Sequence, residues 1–129
     1  MVPLTLEDKK AIYEQIVAIV KKNVPDDFTV TEHPGRIEID TQRPVVIDGR
    51  KHDHMSLLSV IIQKHHIGFY FMPVYVKPEL RNELSDPLDK LLKGKSCFIV
   101  KRELSPEIES EVAELVRKGV QLYQEREWI

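Results

Sequence analysis

Lys93-Gly94-Lys95-Ser96-Cys97 gathers two lysines, a serine and the one cysteine of the chain into five residues. Gly-Lys-Ser invites a phosphate-loop reading, but a Walker loop needs a Gly five residues before the Gly-Lys and runs from strand to helix. Here Asp89 holds that position and the segment is read from helix to strand, which excludes nucleotide hydrolysis of that type. A simpler anion site remains: Lys90, Lys93 and Lys95, the Ser96 hydroxyl and the backbone N–H groups after Gly94 can hold a small anion. Its plain counterpart is a glycine cap closing a short helix, with basic residues complementing the negative helix end. Cys97 would be a nucleophile only with a base or a positive field to lower its pKa. At the start of the apolar run Phe98-Ile99-Val100 it reads more simply as a small buried hydrophobe.

Histidine supplies the second constellation. His52 and His54 lie two apart and share a face if the segment is extended, so with Asp53 they form a candidate site for a divalent metal, iron or zinc. A tetrahedral site wants a further ligand that the local sequence does not supply. His65 and His66 read as the turn of a hairpin between Met55–Gln63 and Ile67–Val76. A turn centred on Lys64-His65 sets Gln63 opposite His66 and, by the same register, His54 opposite Tyr75. With Cys97 beside that strand, His54, Tyr75, Lys95 and Ser96 converge at one end of the sheet as the expected ligand pocket.

Those residues need elements to hold them. Thr5 caps a helix running to about Asn23, with Ile12, Ile16, Ile19 and Val20 on one face and Pro25 as its stop. Phe28 to Ile39, with Pro34-Gly35 at its centre, alternates as a half-buried hairpin. Val45–Ile47 is a third strand, and Asp48 to Asp53 a polar connection. Phe69-Tyr70-Phe71-Met72-Pro73-Val74-Tyr75 is apolar at consecutive positions, so both its faces meet something other than water; Pro73 marks an edge, a bulge or an unpaired stretch. A short turn from Pro78 to Leu84 and a helix opened by Ser85-Asp86-Pro87, with Gly94 as its cap, lead to a last strand at Cys97–Val100. Ser105-Pro106 opens a final helix striped by Ile108, Val112, Leu115, Val116, Gly119, Leu122 and Tyr123. The pattern is α+β: an antiparallel sheet of five to six strands carrying the two terminal helices in one domain.

Composition agrees. The 129 residues suit one domain, 42% hydrophobic and 31% charged places them among globular proteins, and a net charge of -2 gives no electrostatic case for nucleic acid or an anionic membrane. One Cys excludes an internal disulfide, and neither a leader pattern nor an apolar run of membrane-spanning length is present, so a cytoplasmic location is expected.

Phe71-Met72-Pro73-Val74-Tyr75, the segment Leu88 to Phe98 and the final helix with Gly119, Tyr123 and Trp128 resemble the YdhG-like family of small bacterial domains. The resemblance covers about the last 75 residues. It implies a cytoplasmic α+β domain and, for some relatives, a frataxin-like role in handling iron.

Three expectations follow. The first is a non-enzymatic protein binding a small anion through His54, Tyr75, Lys95, Ser96 and Cys97. The second is metal handling by His52, His54 and carboxylates such as Asp26, Asp27 or Asp53. The third is a homodimer joined through Phe71, Val74 and the Trp128 tail, since two large apolar residues at a terminus fray unless docked, either on their own domain or on a second subunit. Catalysis ranks last, because no nucleophile, base and orienting group form a readable set.

Overall fold

A computed structural model describes residues 4–129; the first residues of the stretch read above for a leader pattern, 1–3, lie outside the described residues. Helix α1 spans Leu6–Asn23 and begins with a reciprocal cap: the Asp8 N–H donates to Thr5 Oγ1 at 3.0 Å and the Thr5 N–H donates to Asp8 Oδ2 at 3.1 Å. Its inner face buries Ile12, Ile16 and Val20. Helix α4, Pro106–Glu125, starts with a one-way cap, the Ile108 N–H donating to Ser105 Oγ, and buries Val112, Leu115, Val116, Gly119, Val120, Leu122 and Tyr123.

Both helices lie on one face of a six-stranded antiparallel sheet in the order β1-β2-β5-β6-β8-β7. Its strands are β1 Phe28–His33, β2 Arg36–Thr41, β5 Ser56–Ile62, β6 Ile67–Phe71, β7 Leu92–Lys93 and β8 Cys97–Val100. Cross-strand rows fix which residues meet the helices. Ile37 pairs with Val60, Val60 with Phe69 and Phe69 with Phe98, all buried. The Phe69 ring stands 5.7 Å from Phe98 and 5.6 Å from Phe71, centroid to centroid. Each such side chain contributes about 1.5–3 kcal/mol by leaving water. The alternate residues Ser59, Tyr70 and Cys97 form a row on the opposite face and are half-buried.

The β5–β6 hairpin has the register expected from sequence: Ile62 pairs with Ile67, and the Gln63 N–H donates to the His66 carbonyl at 2.8 Å. Its length differs from the expectation. Strand pairing ends at Leu58 and Phe71, and Met72–Val76 winds into a turn of helix, α2, closed by the Lys77 N–H on the Pro73 carbonyl. Pro73 has no N–H for a ladder, whereas at the start of a helix that N–H would have been unpaired anyway.

Two further elements depart from the sequence reading. Asp48-Gly49 is the tight turn of a separate hairpin rather than an open connection: β3, Val45–Ile47, pairs with β4, Arg50–His52, and both turn residues have positive φ, 51° and 77°. The helix from Ser85 is short. After a 3₁₀ turn at Pro78–Glu83, helix α3 spans only Asp86–Asp89, and Gly94, at φ 70°, belongs to the β7–β8 turn instead of capping a helix.

The carboxyl end of α4 is held by two bonds: the Glu127 N–H donates to the Gln124 carbonyl at 3.0 Å and the Trp128 N–H to the Tyr123 carbonyl at 2.9 Å. This geometry needs a left-handed residue, and Glu127 takes it at φ 59°. Trp128 is thereby turned back onto its own domain, edge-on to Tyr123 at 4.8 Å and 8% exposed. Glu127→Gly should raise stability by about 0.5 kcal/mol, because relief of the left-handed strain exceeds the entropy glycine adds to the unfolded chain. A rise in the urea midpoint at unchanged slope is the expected reading.

Candidate functional site

A cleft of about 840 Å³ opens where four pieces of chain meet. The β3–β4 hairpin contributes Ile47, Asp48 and His52; α2 and the turn after it contribute Met72, Val74, Tyr75, Val76, Pro78 and Arg81; the β7–β8 turn contributes Gly94 and Lys95; the end of α4 contributes Arg126 and Trp128. Met55, leading into β5, completes the wall. Val74 and Trp128 are buried, and Ile47, Met55, Met72 and Val76 are half-buried, so most of the lining is apolar.

Three full cations stand around this lining. Arg81 Nε donates to Asp89 Oδ1 at 2.8 Å and is neutralised in an ion pair. Lys95 and Arg126 are different: among the described residues neither forms a salt bridge. Each lies instead over an aromatic ring. Lys95 Nζ is 5.7 Å from the centroid of Tyr75, and the Arg126 guanidinium carbon is 5.6 Å from that of Trp128. Such contacts contribute about 0.5–1 kcal/mol at exposed positions and leave the hydrogen-bonding capacity of the cation free. Tyr75 itself is 53% exposed, high for a side chain of its size.

The arrangement joins some of the residues expected from sequence and separates others. Tyr75 and Lys95 meet, and His52 lines the same cleft. His54 is not among the lining residues. It lies near Asp40, whose carboxyl is pushed above the usual carboxylate range by burial, with the His54 charge pulling the other way. The predicted pairing of His54 with Tyr75 fails because the ladder stops before reaching either residue. Ser96 is held by its backbone, its carbonyl accepting the Phe71 N–H at 2.8 Å, and does not line the cleft. Cys97 is paired with Tyr70 on the far side of the sheet from the helices. Burial pushes its thiol up, the Tyr70 hydroxyl only partly opposing this, which is the direction opposite to nucleophilic activation.

The extended geometry that would place His52 and His54 on one face ends with β4 at His52, and Asp53 sits in a bend. Among the described residues no group of three or more His, Cys, Asp or Glu side chains comes together to hold a metal ion, and Asp26 and Asp27 stand exposed in the turn before β1. Also among them, no helix is long and apolar enough to cross a membrane.

Arg126 and Trp128 were missed as site residues. The sequence signal was the terminal pair of large apolar residues, which demanded a docking place without saying where. The β3–β4 hairpin did carry its own signal, Asp-Gly flanked by Val-Val-Ile. A second hollow of about 600 Å³ lies between α1 and the β1–β2 turn, where Lys21 is already neutralised by Glu32. Comparison of the chain with protein-family models, with curated proteins and with solved structures gave no match.

Proposed function

We propose that this protein binds a small amphipathic anion in the cleft between the β3–β4 hairpin, α2 and the end of α4. The observation that carries the reading is the pair Lys95 and Arg126, two cations without carboxylate partners among the described residues, beside a predominantly apolar lining. A single anionic head takes charge-assisted hydrogen bonds from Lys95, contributing about 1.5–3 kcal/mol. The apolar body lies on Val74, Met55, Met72 and Trp128, gaining about 0.8 kcal/mol per buried methylene. After the cost of immobilising the ligand, a dissociation constant on the order of 10–100 μM is expected. Binding without catalysis suits a site whose lining, among the described residues, contains no Cys and no Ser, and only one carboxylate and one imidazole, Asp48 and His52.

The chain contains one Trp, and it lines the cleft, so its emission reports occupancy directly. Titration with octanoate or octyl phosphate should give a saturable change in Trp128 emission matched by calorimetric heat. Lys95→Ala should weaken binding about tenfold, or about 1.4 kcal/mol, and added salt should weaken it further because the cations face solvent. If millimolar concentrations of both probes leave emission and heat unchanged, the cleft is not an anion site.

A further inference from the structure

Resting on that reading, we infer that the ligand carries two anionic groups joined by an apolar body, one group meeting Lys95 and the other meeting Arg126. The two cations belong to different walls, the β7–β8 turn and the terminal cap of α4. Each is stationed on its own ring, Lys95 on Tyr75 at 5.7 Å and Arg126 on Trp128 at 5.6 Å. A separate head for each cation leaves both ring contacts in place. Two heads meet each cation where it already stands. The apolar part of the same lining, Val74, Val76 and the methionines, accepts methylenes and rejects a third charge.

The positions of the other charges fit. Arg81 is occupied by Asp89, leaving Lys95 and Arg126 as the two cations of the lining without a salt bridge among the described residues. Asp48, on the hairpin wall, is the one carboxylate of the lining and disfavours an anionic head on that side. The ligand class is therefore a medium-chain α,ω-dianion, such as a dicarboxylate, rather than a fatty acid with one charged end.

The full chain is titrated in parallel with octanoate, octanedioate and decanedioate, by Trp128 emission and by calorimetry. The expected result is about tenfold tighter binding of a diacid than of octanoate and a steeper loss of diacid affinity with salt. Lys95→Met and Arg126→Gln should each reduce the diacid to the octanoate level. Arg126→Gln keeps a side chain at the helix cap, and circular dichroism checks that both variants fold. Octanoate binding as tightly as either diacid overturns the two-headed ligand and leaves the anion site standing. Silence with all three probes overturns both. Diacid affinity surviving one of the two substitutions shows that one cation suffices and also overturns the inference.

Discussion

Gly119→Val should lower the melting temperature by on the order of 10 °C, and Gly119→Ala by roughly half as much. Gly119 sits on the inner face of α4, where the helix crosses β6 and α2. A methyl group built there would stand 2.6 Å from Phe71 Cζ and 2.7 Å from Pro73 Cγ, well inside contact distance. Neither neighbour can give way cheaply. Phe71 is fully buried and abuts Phe69, and Pro73 is a rigid ring at the point where the strand becomes helix. Helix propensity alone favours alanine over glycine by about 1 kcal/mol. The two effects have opposite signs, and overpacking, at about 3 kcal/mol for the larger side chain, is expected to win. A melting temperature that rose in Gly119→Ala would show that α4 has room to move away from the sheet and that its close approach is not enforced by packing.

Tyr123→Ala is expected to cost about 4 kcal/mol, and Tyr123→Phe about 1–2 kcal/mol at neutral pH. The ring is fully buried, 4.8 Å from Trp128 and 6.4 Å from Phe28. Its hydroxyl donates to the Ser56 carbonyl at 2.7 Å, tying α4 to the first residue of β5. Phenylalanine keeps the packing and removes that bond, so the two variants separate the contributions. Burial also holds the Tyr123 proton far above the ordinary phenol range, Arg126 offsetting this only in part. A tyrosine in the unfolded chain ionises near 10. The folded form thus binds the proton more tightly, the stabilisation is complete below pH 10, and it declines as pH rises beyond that, by up to about 1.4 kcal/mol per unit. Tyr13 and Tyr70 are raised in the same direction, so some alkaline loss persists without Tyr123. Urea unfolding between pH 8.5 and 11.5 should therefore show the gap between wild type and Tyr123→Phe narrowing above pH 10. A constant gap would mean that the phenol is accessible to base in the folded state.

The same residue links stability to the cleft. Tyr123 supports Trp128 through its ring and its carbonyl, and Trp128 forms one wall of the site. Octanoate binding in Tyr123→Phe should weaken less than threefold, since the wall keeps its packing and its backbone bond.

Local chemistry explains what could be read from the chain. Thr5 with Asp8, and Ser105 with Pro106, mark helix starts through bonds to residues three positions away. The hydrophobic stripes that follow select one face regardless of what covers it. The β5–β6 register was readable because a tight turn pairs residues symmetrically about itself, so Gln63 and His66 fixed all the pairs out to Leu58 and Phe71. Where that ladder ends was not readable. Met72–Val76 contains valine, tyrosine and methionine, residues compatible with a strand, and only its close packing under Gly119, together with the lack of an N–H on Pro73, settles it as helix.

That single change of course decides the site. Had the strand continued, Tyr75 would have faced His54; wound into α2, it carries its ring to Lys95 instead. The sequence alone determined the α+β class, the capped terminal helices and the register of the β5–β6 hairpin, because these depend on periodicity and on bonds spanning a few residues. Which side chains share the cleft was decided by tertiary structure. Tyr75, Lys95 and Trp128 are brought together by long-range packing, whose free energy depends on surfaces distant along the chain meeting in space, and no local pattern encodes that meeting.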